Sequence, residues 1–107
     1  MSSPESKQET SALLQSALAA EAGVQVEQLT RIDPVDEGDN SEVFSGNYEG
    51  QKVFVKTSDD PQTFYLEAAG LELFKKRGIP SPRILVFKEH MKSINRSLMI
   101  QTSAIGV

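Results

Sequence analysis

The strongest punctuation in the chain lies between Asp60 and Pro80, and it marks out one helix in the midst of strand-like sequence. Asp60 can accept hydrogen bonds from the free N–H groups of a first turn. Pro61 brings a preset φ to the first helical position, and Gly78 followed by Pro80 ends the run. Lys75, Lys76 and Arg77 then sit at the negative end of the helix dipole. The pattern predicts a helix over residues 61–77, and the short β-branched runs on both sides of it point to an α+β fold.

The flanking segments can be read the same way. Ser6 and Glu9 have capping-box spacing, and Leu13, Leu14, Ala17 and Leu18 recur at helical intervals until Gly23. A first helix is expected over residues 7–22, behind a loose tail at 1–6. The apolar stretches Leu29 to Val35 and Val43 to Tyr48 read as strands around the polar turn Glu37 to Ser41, and Glu49-Gly50 sets hairpin spacing to Val53-Phe54-Val55. After Pro82, Arg83 to Phe87 and Ser97 to Gln101 read as two further strands joined by the polar segment Lys88 to Arg96. The expected architecture is a five-stranded antiparallel sheet with a helix packed beside it, preceded by an N-terminal helix.

A chain of 107 residues supports one domain, and it shows no repeat. No apolar run long enough for a membrane span occurs, and the N-terminus has no export pattern. With no cysteine, disulfides and thiolate chemistry are excluded and a reducing cytoplasm is the expected compartment. The net charge of −4 is uneven: residues 1–49 hold ten acids and two bases, residues 50–107 five acids and nine bases. The bases are scattered without interleaved aromatics, so nucleic acid is not an expected partner.

The residue that most asks for a chemical explanation is Glu67. On helix 61–77 it lies among Phe64, Ala68, Leu71 and Phe74, and a carboxylate buried on such a face needs a cation. Lys56, at the end of Val53-Phe54-Val55 and on the same strand face as Phe54, is the candidate. Such a pair can hold an ammonium where phosphate oxygens arrive. On the residues alone two readings stay open, because a strand-end lysine is commonly a solvated edge residue. A second apolar stripe, Leu66, Ala69 and Leu73, also competes for the packed face. The turn Gly38-Asp39-Asn40-Ser41 offers backbone N–H groups to phosphate but is equally an ordinary turn. The single histidine, His90, reads as a surface residue, and Asp33, Asp36, Glu37 and Asp39 as a solvated acidic patch.

Taken in order, these segments resemble the N-terminal lobe of the aminoglycoside phosphotransferase-like kinases, a group that includes fructosamine, choline and homoserine kinases. Gly38 to Phe44 is similar to their nucleotide-positioning loop, Val53-Phe54-Val55-Lys56 to the third-strand lysine motif, and Phe64 to Leu71 to the helix whose glutamate pairs with that lysine. Ile79 to Leu85 resembles the approach to the fourth strand. Leu98 to Gln101, continuing to Ile105-Gly106, is similar to the fifth strand and hinge. The resemblance covers about Val24 to Gly106.

The resemblance implies a protein-kinase-like N-lobe over residues 7–107, ending at the hinge, that binds ATP or GTP with Mg²⁺. Lys56 would meet the α/β-phosphates, oriented by Glu67. Gly38, Asn40 and Ser41 would line the loop, Val43 and Phe54 would border the base, and backbone atoms near Gln101 to Ser103 would bond its edge. The catalytic aspartate and metal ligands of these enzymes lie in a C-terminal lobe, which this chain does not reach, so an inactive fragment is expected. A separate chain carrying that lobe is then a partner to expect, and an apolar patch around the hinge and the end of helix 61–77 would favour weak self-association. A stand-alone or split nucleotide-binding module, and an unrelated α+β interaction domain, are the alternatives.

Overall fold

The computed structural model describes residues 4–32 and 42–103, with side chains described from residue 11 onward. Helix α1 (Pro4–Ala17) runs into one π-helical turn (Leu18–Ala22), and then come β1 (Glu27–Arg31), β2 (Glu42–Tyr48) and β3 (Gln51–Ser58). Helix α2 (Pro61–Lys76) precedes β4 (Ile84–Met91) and β5 (Arg96–Thr102). The five strands form one antiparallel sheet in the order β1-β2-β3-β5-β4, so the expected α+β architecture is present.

Where boundaries differ from expectation, local chemistry accounts for them. Helix α1 begins at Pro4, inside the expected tail, and the Ser6–Glu9 capping box lies outside the described side chains. Its last turn widens to π geometry because Gly23, at φ 67°, returns its N–H to Leu18 O, five residues back. Strand β1 covers only Glu27–Arg31, and the rest of the expected Leu29 to Val35 strand lies mostly outside the described residues. The polar segment after Phe87 is not one long connection: β4 continues through Lys88, Glu89 and His90 to Met91, and the turn is confined to residues 92–95. The β2–β3 turn uses Glu49 (φ 52°) and Gly50 (φ 78°), the two left-handed positions of a type I′ hairpin.

Directly paired residues share a sheet face, and faces alternate along each strand. Phe44, Val55 and Ile100 lie in register on the face covered by α1, where they join Leu14 and Leu18 in the main core. Gly46 permits this packing, since a β-carbon there would come within 2.6 Å of Val26 Cγ1 and 3.0 Å of Glu27 O. The opposite face carries Lys56, Phe54 and Gln101, and α2 packs against its β4–β5 end. No helix among the described residues is long and apolar enough to cross a membrane.

The turn between β4 and β5 is held from a distance by Glu21, whose carboxylate accepts hydrogen bonds from Lys92 N (2.9 Å) and Ser93 N (2.8 Å). The Ser93 hydroxyl, with these backbone donors, holds the Glu21 carboxyl below its ordinary value of 4.5. A lowered pKa makes the ionised form the stabilising one. The contribution is therefore complete above the ordinary glutamate range and disappears as pH falls through the folded-state value. Glu21→Gln should unfold at lower denaturant than wild type at pH 7, and the gap should shrink as pH falls below the ordinary glutamate range, as denaturant titrations at neutral and acidic pH will read.

Candidate functional site

Alternation along β3 sends Lys52, Phe54 and Lys56 to one face and Val53, Val55 and Thr57 to the other. Lys56 lies opposite Val43 in β2 and Met99 in β5, while Phe54 lies opposite Ser45 and Gln101. A compact connection leads on to α2: Asp60 N donates to Ser58 Oγ (3.1 Å), and Asp60 Oδ1 caps the helix by accepting from Gln62 N (3.0 Å). The helix stops in a Schellman arrangement, with Gly78 N bonded to Lys75 O and Ile79 N to Phe74 O.

Phe64 decides which face of α2 meets the sheet. It is 1% exposed and packs edge-on to Phe87, with centroids 6.3 Å apart, whereas Leu66 is 66% exposed and Leu73 47%. The second stripe therefore faces solvent, and Glu67, one turn beyond Phe64, faces the strands. Lys56 Nζ donates to Glu67 Oε1 at 2.5 Å. Their side chains are 22% and 31% exposed, so the pair is reachable from solvent and its net contribution to stability is about 1 kcal/mol or less. An ammonium has three donors, which leaves Lys56 able to meet an anion without releasing Glu67.

Val43 and Phe54 are half-buried on the Lys56 face, with the Lys52 ammonium 5.7 Å from the Phe54 ring centroid. Gln101 is buried there at 7% exposure. Ser103 is half-buried, and its N–H is taken by Lys52 O at 3.3 Å. Gly38, Asn40 and Ser41 lie outside the described residues. The strand ends that flank this loop are tied together: Arg31 Nη1 lies 3.2 Å from Glu42 Oε2, and Arg96 reaches Glu42, Thr57 and Asp59. One ionic network on the back of the sheet thus links the base of the loop, the strand that carries Lys56 and the approach to α2.

Lys52, Met99 and Arg96 join the site or its support without having been singled out in the sequence. Strand alternation could have found Lys52. Arg96 and Met99 reach their positions only through the pairing of β5 with β3. His90 is exposed as expected, with Nε2 2.9 Å from Asn95 Oδ1. Among the described residues no group of three or more His, Asp or Glu side chains could hold a metal ion. A cleft of about 540 Å³ between the second half of α2 and residues 78–84 includes neither Lys56 nor Glu67. The apolar Leu73, Phe74 and Ile79 are 44–47% exposed at that end of the helix.

A half-covered sheet with an ion pair between its third strand and the adjoining helix can be compared with known proteins. No family model matches the sequence, and no curated protein does. The structure is similar to the crystal structure of a thermostable mutant of aminoglycoside phosphotransferase APH(4)-Ia in its apo form, with a TM-score of 0.61 over 87% of this chain at 23% identity. The fold is a kinase-like N-lobe. The chain spans 30% of the length of that solved chain.

Proposed function

We propose that this lobe binds the nucleotide of a phosphotransferase that moves the γ-phosphate of ATP or GTP to a hydroxyl group of a small molecule. The observation that carries the reading is the contact of Lys56 with Glu67 across β3 and α2. The carboxylate fixes the ammonium on a face where it remains accessible. Three donors on one cation suit the α- and β-phosphate oxygens, and Phe54, next along the same face, gives the base an apolar neighbour. APH(4)-Ia is named as an aminoglycoside phosphotransferase, and the shared fold supports this class of chemistry.

One sheet face makes a wall, whereas nucleotide pockets enclose most of their ligand. A second lobe would supply the other wall, together with the base that takes the hydroxyl proton and the ligands for Mg²⁺. The exposed Leu73, Phe74 and Ile79 give such a lobe, or a second copy of this one, apolar surface to cover.

Isothermal titration of the chain with MgATP, MgGTP and AMP tests the reading. Saturable triphosphate binding at about millimolar affinity or tighter, with AMP weaker because it lacks the β-phosphate, is the expected result. Absence of binding by either triphosphate at several millimolar would sink it.

A further inference from the structure

The cleft at the end of α2 has an apolar floor and a positive rim. Leu71, Ile79, Pro82 and Ile84 line it together with Lys75 and Arg83, and Glu72 adds one carboxylate. Neither cation has an ion-pair partner among the described residues, and Lys76 and Arg77, next in the chain after Lys75, are exposed. Such a cleft suits an exposed apolar side chain carried on a negative surface. The chain itself has one. Ile32 is 41% exposed at the end of β1, the stretch 33–39 that follows it holds four acids and no base, and Glu27 is exposed on the same strand. Chain order explains why the two poles separate. The acid-rich residues 1–49 supply α1, β1 and β2, whereas the base-rich residues 50–107 supply α2 and the other three strands.

We infer that the chain associates with itself head to tail, Ile32 of one copy seated in the cleft at the end of α2 of the next, with the negative β1 edge facing Lys75 and Arg83. One molecule cannot make this contact with itself. Strands β1 and β4 are the two edges of the sheet, four spacings or about 19 Å apart. The two places are also offset along the strands: Ile32 N bonds Val43 O in the row of Lys56, whereas Thr102 N bonds Arg83 O in the row of Val53. A surface that fits a different surface of the next copy needs no two-fold axis and leaves one pole open at each end, so the assembly grows as a chain. The contact is small and its attraction is screened by salt, whereas apolar packing of Leu73 and Phe74 alone would not weaken as salt is added. It uses neither Lys56 nor Glu67, so it stands or falls apart from the nucleotide reading.

Sedimentation of the whole chain over a protein concentration series, at about 10 mM and about 150 mM NaCl, tests the contact. At low salt the mean mass should rise past that of a dimer without a plateau, with a dissociation constant on the order of 0.1–1 mM, and the affinity should fall about 10-fold at the higher salt. Ile32→Lys and Arg83→Glu change exposed side chains, so each should melt like wild type and sediment as a monomer. Mixed together, the two variants should form a one-to-one pair that grows no further, because the first keeps its cleft and the second keeps its Ile32. Leu13, 68% exposed on α1, is the control, and Leu13→Ser should associate like wild type. A wild-type chain that stays monomeric at low salt, that stops at a dimer, or that associates equally at both salt concentrations would overturn the inference. So would variants that associate normally, a mixture that does not pair, or a loss of association in Leu13→Ser. The wild-type salt series decides the matter even if a variant does not fold.

Discussion

Phe64→Ala is expected to release α2 from the sheet while the α1 side of the molecule stays folded. Phe64 is the buried residue of α2, and its ring meets Phe87 on the face away from the main core, to which it does not belong. Removing a buried phenylalanine costs about 3–5 kcal/mol, against a total of about 5–15 kcal/mol for a domain of this size. The other ties of α2 are weaker, among them the part-exposed Lys56–Glu67 pair, an exposed hydrogen bond from Tyr65 to Glu89 at 2.8 Å and the edge contact of the Tyr65 ring with Phe87 at 5.2 Å. The helix should therefore open as a unit below the global unfolding energy. Hydrogen exchange will show it as fast exchange across residues 62–76 with protection retained at Val53, Val55 and Ile100. Phe44→Ala, in the main core, should lower protection everywhere instead. Uniform loss in the Phe64 variant would contradict the division into two packed faces.

Lys56→Met is expected to weaken nucleotide binding by about 10- to 100-fold, the equivalent of one strong charge-assisted contact. Because the ion pair is partly solvated, the same change should cost about 1 kcal/mol or less in stability. Glu67→Gln keeps the ammonium and loses only its orientation, so its loss of affinity should be the smaller of the two. Calorimetry and denaturant melts on the same samples separate affinity from stability. A lysine variant that binds normally would remove Lys56 from the site.

The legible parts of this fold were the local ones. Asp60, Pro61 and Gly78 announce α2 because capping is decided within a few residues of the helix end. Glu67 could be placed on an apolar face from periodicity, but two stripes competed, and only the burial of Phe64 beside Phe87 settles which one meets the sheet. The second half of β4 was obscured because Lys88, Glu89 and His90 sit on an edge strand, where polar residues carry no strand signal. Arg96 was out of reach for another reason, and Gln101, placed at the site through its backbone, could not be seen to bury an unpaired side-chain oxygen. The network of Arg96 joins residues far apart in sequence, and an unpaired oxygen is a property of everything around it.

The most direct test observes the Lys56 ammonium itself by ¹⁵N-detected NMR while MgATP is added to the whole chain. The Lys56 Nζ signal should shift saturably together with the backbone amides of Phe54 and Gln101, while those of Phe44 and Val53 on the opposite face hold still. A Lys56 signal unmoved at millimolar nucleotide, or shifts gathered on the α1 face, would contradict the account.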